Sequence, residues 1–282
     1  MIFATLRLTM VLIFRFVGKI VYFCSKKRKN ITLKNLHLCF SDKSVHEINQ
    51  IAKDSFALLG HSFADFLLVR FYKKKYLQKH FKINNFENFT SALNLGKGVI
   101  LSTAHFGSFE LAAHFFALMN YKSLILYNPV KKYLWLEKIV KRNREFAGNI
   151  LIPKQNSLLT VFKRLKRGGA VLFAADQNCY PPDGKLIPLF SNLVYTHTGF
   201  VNLSLKTGAP IVPGFIYIKN LFDYEIDVLS PLYPQDFLKF EDPEYEMSLA
   251  INRALELAVK RFPAQWMWQH RRFKGLIDYS VY

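Results

Sequence analysis

From residue 97 onward, short apolar runs alternate with longer amphipathic stretches, and no other feature limits the fold so strongly. "GVILSTAHF" reads as a buried strand, "SFELAAHFFALMN" as a helix and "KSLILYN" as a strand. "KYLWLEKIVKRNREFAG" is helical up to Gly148, "NILIP" is a strand, and "SLLTVFKRLKRGG" is a helix stopped by glycines. "AVLFAADQN" is a strand, "THTGFVNLSLKTGA" a helix, "PIVPGFIYI" and "YEIDVLSPL" strands, and "PEYEMSLAINRALELAVKRF" a last long helix. Strands alternating with helices predict an α/β fold, a central, mostly parallel or mixed sheet flanked by helices.

The part before residue 97 reads differently. Residues 45–70 repeat apolar positions at spacings of three and four, and Ser44 with Glu47 three later forms a capping-box pattern. Residues 8–24, "LTMVLIFRFVGKIVYFC", approach a membrane span but are interrupted by Arg15, Gly18 and Lys19. A clean span needs ~20 apolar residues. Arg15 and Lys19 share one helix face, which suits an amphipathic helix in the bilayer plane or a short span with snorkelling cations. The other reading is a buried first helix. The cluster "KKRKN" follows the apolar stretch, whereas a signal peptide carries its charge in front; the positive-inside rule then keeps the rest cytoplasmic. The expected division is a membrane-associated helix over 1–24 and one domain over 25–282, with a helical arm at 25–95 and an α/β catalytic core at 96–282.

Charge narrows the partners. There are 39 Lys and Arg against 20 Asp and Glu, a formal +19, which favours an anionic membrane, an acidic protein or nucleic acid. Nucleic acid is the weakest of these, because nothing in it explains the polar motifs at strand ends, and no compact nucleic-acid motif is found. Three cysteines without ligand spacing suit a reducing compartment and give no metal set.

Those polar motifs carry the chemistry. His105 follows the run Val99-Ile100-Leu101 at a predicted strand end, where α/β sheets place their sites. In one regular helix, five steps of ~100° would leave His105 and Glu110 ~140° apart. A strand, a tight turn at Gly107 and a helix capped by Ser108 would let both face one pocket. There Glu110 can orient the imidazole, His105 can take a proton from a hydroxyl, and the helix start can steady an anion. Asp176 and Gln177 end a second strand in "FAADQN". "FPAQWMWQHRRFK" sets Arg271 and Arg272 beside two tryptophans, a pattern for phosphate, an interface or a packed helix end.

Taken in order, "NLHLCF", "HFGSFE", "ADQN", "IPLFSNLVYTHTG", "LKTGAPIVP" and "PAQWMWQHRRFK" resemble the late acyltransferases of lipid A biosynthesis, the lauroyl and myristoyl transferases of Gram-negative bacteria. The resemblance runs from about residue 30 to 275 and implies a glycerophospholipid-acyltransferase-like fold with an N-terminal membrane helix, at the cytoplasmic face of the inner membrane. It implies transfer of a fatty acyl chain from acyl carrier protein to a hydroxyl of a 3-hydroxyacyl chain on a Kdo-bearing lipid A precursor, without metal or cofactor. His105 and Glu110 match the family's HxxxxD/E dyad as base and orienting acid. Arg142 and Arg144 resemble an arginine segment before a glycine, Asp176 and Gln177 match its "DQ", and Arg271 and Arg272 its closing "HRR.K"; all six are candidate substrate-binding residues. Two departures stand out: Asn128-Pro129 where arginine-proline is common, and Phe190-Ser191 where "FFG" is common. Alternatives are a lysophospholipid or other glycolipid acceptor, and a non-enzymatic basic membrane-binding protein.

Overall fold

The computed structural model describes residues 2–155, 157–181 and 183–280. Three helices open the chain: α1 (Ile2–Cys24), α2 (Lys26–Cys39) and α3 (Val45–Leu68). The expected capping box starts α3, with Ser44 N–H donating to Glu47 at 2.9 Å and Glu47 N–H donating back to the Ser44 hydroxyl. α1 lies antiparallel against α3. The backbones touch because two glycines leave room: a Cβ at Gly18 would sit 2.1 Å from the Phe56 carbonyl oxygen, and one at Gly60 2.0 Å from that of Phe14.

This crossing buries Arg7, Val11, Gly18 and Tyr22 and turns Leu6, Ile13, Phe16 and Phe23 outward. Arg7 is fully buried and reaches Asp65 of α3 at 3.3 Å and the Tyr72 hydroxyl at 2.7 Å. It also donates to the Tyr224 hydroxyl and the Leu221 carbonyl. Among the described residues no single helix is long and apolar enough to cross a membrane; α1 and α2, bent by 90°, pass that test only as a pair, by length and composition.

A 3-10 turn, α4 (Lys74–His80), β1 (Phe81–Asn84) and α5 (Phe86–Asn94) follow. The arm expected to be wholly helical therefore contains a strand that joins the sheet. "KKRKN", read only as a charge cluster, opens α2. The alternation then runs β2 (Val99–Thr103), α6 (Phe109–Leu118), β3 (Ser123–Tyr127), α7 (Leu134–Glu145), β4 (Ile150–Pro153), α8 (Leu158–Lys166) and β5 (Ala170–Ala174). After it come β6 (Gly184–Leu189), β7 (Asn192–His197), α9 (Gly199–Thr207), β8 (Ile211–Ile218), β9 (Tyr224–Val228), α10 (Pro234–Phe237) and α11 (Pro243–Arg261).

Seven strands form the sheet in the order β1-β9-β8-β2-β5-β3-β4, parallel throughout except at β8–β9. β2 shows why its sequence is a continuous apolar run. Val99 packs into the core under α4–α6 and Ile100 into the opposite core under α8, α9 and α11, so both faces are covered.

β6 and β7 form a separate hairpin that includes Thr196 and His197, expected in the next helix. Its two-residue turn is Phe190-Ser191, with φ of 49° and 60°. Such turns favour Asn-Gly, so no sequence signal marks this one. Phe190 accepts the unfavourable conformation while its ring is buried against Phe40 and Trp266.

Candidate active site

β2 and β5 are neighbouring parallel strands with Thr103 opposite Ala174. Two residues beyond each, at the carboxyl edge of the sheet, stand His105 and Asp176. The imidazole Nδ1 lies 2.8 Å from Asp176 Oδ1, and the His105 backbone N–H donates to Oδ2 at 3.0 Å. The Trp266 indole N–H donates to Oδ2 at 2.9 Å.

Burial alone would raise the Asp176 pKa, but the imidazole and these hydrogen bonds outweigh it and hold it at about 2. The Asp176 carboxylate accepts from Nδ1, so in the neutral imidazole the proton sits on Nδ1 and the lone pair on Nε2. For His105, burial works against the cation, yet the Asp176 carboxylate prevails and the pKa is raised. Nε2 faces the Gln177 amide at 3.5 Å, and the Phe109 ring meets the imidazole edge-on at 5.0 Å.

Glu110, expected to orient His105, does not hydrogen-bond it. Starting α6, it points toward α7 and holds Arg144 through Nε at 3.0 Å to both oxygens and Nη2 at 2.5 Å. The acid that touches His105 lies 71 residues away in sequence and arrives through strand register. Ser108 departs similarly from expectation. It is the N-cap of α6 but makes no cap bond; its hydroxyl donates to Asp65 at 2.6 Å. Asp65 thus accepts from Ser108, Tyr224 at 2.6 Å, Tyr72 at 2.5 Å and Arg7. Gly107 makes the turn as expected, with φ of +52°, and a Cβ there would lie 2.3 Å from the Ile216 carbonyl oxygen.

The turn at His105–Gly107 is also strapped from the C-terminal side. Gly107 N–H donates to the Gln265 carbonyl at 3.0 Å, and Met267 N–H donates to that of His105 at 3.1 Å. The "WMWQHRRFK" segment is therefore a brace. Arg272 is buried and donates to Tyr195 O at 2.5 Å and to Thr196 Oγ1 at 2.8 Å, with burial pushing its pKa down to about 10. The Arg271 guanidinium lies 5.7 Å from the Tyr279 ring centre. Neither arginine lines the cavity at His105.

That cavity holds about 890 Å³ and is lined by His105, Arg144, Gln177, Asn128, Lys154 and His197 among others. Arg142 is exposed on α7 and lies outside its wall. Lys154 and His197, which sequence reasoning missed, meet at 3.2 Å, and burial beside Lys154 pushes the His197 pKa down to about 4. Trp266 and Asp65 were missed too, since nothing local in the sequence marks a residue that acts through a distant carboxylate or turn. Among the described residues no group of three or more His, Cys, Asp and Glu could hold a metal ion. The cavity wall thus carries His105, paired with Asp176 in the manner of a Ser-His-Asp arrangement, together with the cations Arg144, Lys154 and Lys185 and the acids Asp183 and Glu244.

The chain is similar to known acyltransferases. The family described as bacterial lipid A biosynthesis acyltransferase matches residues 6–275. Similar proteins include the Escherichia coli K12 lipid A biosynthesis palmitoleoyltransferase, 27% identical over 253 residues, covering 88% of this chain and 79% of that one. The lauroyltransferase of the same organism is 26% identical over 261 residues, covering 92% and 83%. A lipid A biosynthesis acyltransferase of Haemophilus influenzae is 22% identical over 247 residues, covering 86% and 75%. With all but a few residues at either end inside the match, the chain belongs to the bacterial lipid A biosynthesis acyltransferases.

Proposed function

We propose that the chain moves a fatty acyl group from acyl carrier protein to a hydroxyl of a 3-hydroxyacyl chain on a Kdo-bearing lipid A precursor. The single observation that carries the mechanism is the His105–Asp176 pair, with Nε2 left on the wall of the cavity. Nε2 takes the hydroxyl proton as the oxygen attacks the thioester carbonyl. The tetrahedral oxyanion collapses, the C–S bond breaks, and the departing thiolate recovers the proton from the imidazolium. Asp176 fixes the tautomer and stabilises the imidazolium. Glu110 acts one step removed, by presenting Arg144 to the oxyanion or to acceptor phosphate. The first-turn N–H groups of α6 face the same end of the sheet and favour negative charge there. The scheme uses no metal or cofactor.

The same reading places the protein on the cytoplasmic face of the inner membrane. Its support is the outward apolar face of α1, together with Lys19 and the basic start of α2. A helix apolar on its open side and cationic beside it suits the bilayer plane.

The test mixes the purified protein in detergent with a panel of acyl carrier protein thioesters and Kdo-bearing tetra-acylated precursor, and reads the lipid by mass spectrometry. One added acyl chain, absent with His105→Ala, is the expected result. No added chain with any donor rejects this reaction; addition to a lysophospholipid instead would reassign the acceptor, and no transfer to either would leave a binding protein.

A further inference from the structure

The mouth of the cavity carries an apolar, basic corner that the reaction does not use. β3 and β4 are adjacent parallel strands, so α7 and α8, which follow them on opposite faces of the sheet, both begin at the carboxyl edge, the edge that carries His105. Both begin with large exposed apolar residues. Leu134 and Trp135 on α7 are 72% and 64% exposed, and Leu158 and Leu159 on α8 are 65% and 63% exposed. Leu158 also lines the cavity, so this surface is continuous with the site. Lysines gather on its α7 side. Lys131, Lys132 and Lys138 are exposed, while Glu137 is turned inward to the Tyr127 hydroxyl at 2.7 Å and Val130 N–H at 2.8 Å. A soluble protein seldom leaves an apolar patch rimmed by lysines without a partner.

We infer that this α7–α8 corner is a second membrane contact, separate from α1, with its lysines on anionic phospholipid headgroups and Leu134, Trp135 and Leu159 in the acyl-chain boundary. The inference rests on a lipid acceptor, which then passes from the bilayer over Leu158 into the cavity without crossing water. Exposed tryptophan beside lysines is the side-chain pair that membrane interfaces favour, and an acidic protein partner would leave the three leucines unexplained.

Trp135 supplies its own probe, because Trp266 and Trp268 are only 3% and 1% exposed. The full chain is mixed with phosphatidylglycerol–phosphatidylcholine vesicles brominated on their acyl chains, with no acyl donor present. Tryptophan emission is expected to shift to the blue and to be quenched. The change is expected to vanish in Trp135→Phe and to weaken on pure phosphatidylcholine or in high salt. Leu134→Asp, checked for folding by its melting curve, is expected to weaken partition about tenfold. Sedimentation with vesicles while Trp135 stays unquenched overturns the inference, since α1 alone would then hold the membrane. A Trp135 response to acyl carrier protein and not to vesicles overturns it as well. Because no transfer is measured, quenching in a protein that transfers nothing supports this contact while rejecting the reaction, and transfer without quenching does the reverse.

Discussion

Replacing Asp176 by Asn tests the catalytic geometry most sharply. The carboxylate accepts three hydrogen bonds, two from His105 and one from Trp266. Asn keeps one acceptor oxygen and turns an NH2 group toward the remaining donors. The charge that stabilises the imidazolium is lost, and the amide can select the tautomer that carries its proton on Nε2, which cannot act as a base. Breaking a buried charged pair costs ~3–5 kcal/mol. If that loss falls on the transition state, kcat drops ~10²–10⁴-fold, at about 1.4 kcal/mol per factor of ten. The pH profile supplies a sign. The base works deprotonated, so activity rises through the pKa of His105, which Asp176 holds up against the lowering effect of burial. Removing the carboxylate takes away the largest influence that raises the His105 pKa, leaving burial opposed only by the weaker pull of Glu110, so the acidic limb of kcat/KM moves to lower pH. The assay is acyl transfer from acyl carrier protein thioester across pH, with near-ultraviolet circular dichroism to verify the fold. A folded Asp176→Asn enzyme with kcat within about threefold of the parent and an unmoved acidic limb would refute the assignment.

Glu110→Gln is expected to lower kcat/KM ~10–100-fold through Arg144; an Arg144→Ala protein with full activity would break that link. Arg144→Lys should not rescue it, because the contact with Glu110 needs a guanidinium fork. Gly107→Ala should cost at least ~2 kcal/mol, since the left-handed conformation and the Ile216 carbonyl both oppose a Cβ; an unchanged thermal midpoint would contradict this. Ser191→Gly should stabilise by ~1 kcal/mol, about 2 °C in the midpoint, by relieving the positive φ. Arg7→Met should destabilise by ~3–5 kcal/mol, because Asp65 stays buried without its cation; a midpoint within 1 °C of the parent would show that the hydroxyls alone satisfy Asp65.

The sheet and most of its helices were legible because its central strands β2, β3 and β8 are largely buried on both faces and most of the helices show their period. The β6–β7 hairpin was not, because its turn is Phe-Ser and its strands adjoin a helical pattern. β1 hid behind a lysine-rich stretch, and α2 behind its own charge. At the site, His105 and the Gly107 turn were readable from local chemistry. Glu110 was named the orienting acid chiefly because it matches the family's HxxxxD/E pattern, whereas the sheet register that delivers Asp176 is a property of two strands together. Arg271 and Arg272, expected to bind substrate, do not line the cavity. A cation beside tryptophan looks the same in sequence whether it meets a ligand or the protein's own carbonyls.

The strap formed by residues 265–267 also has a bearing on the order of events during synthesis. His105 and Asp176 are separated by 71 residues, and Asp176 and Trp266 by a further 90. On the ribosome, α1 emerges with its apolar face before any of these, whereas the last donor to Asp176 emerges near the end. The N-terminal helices can therefore form long before the donors to Asp176 are complete. Contacts this distant along the chain also make closure slow relative to the local helices. Ordering of the His105–Asp176 pair therefore waits on the segment that carries Trp266.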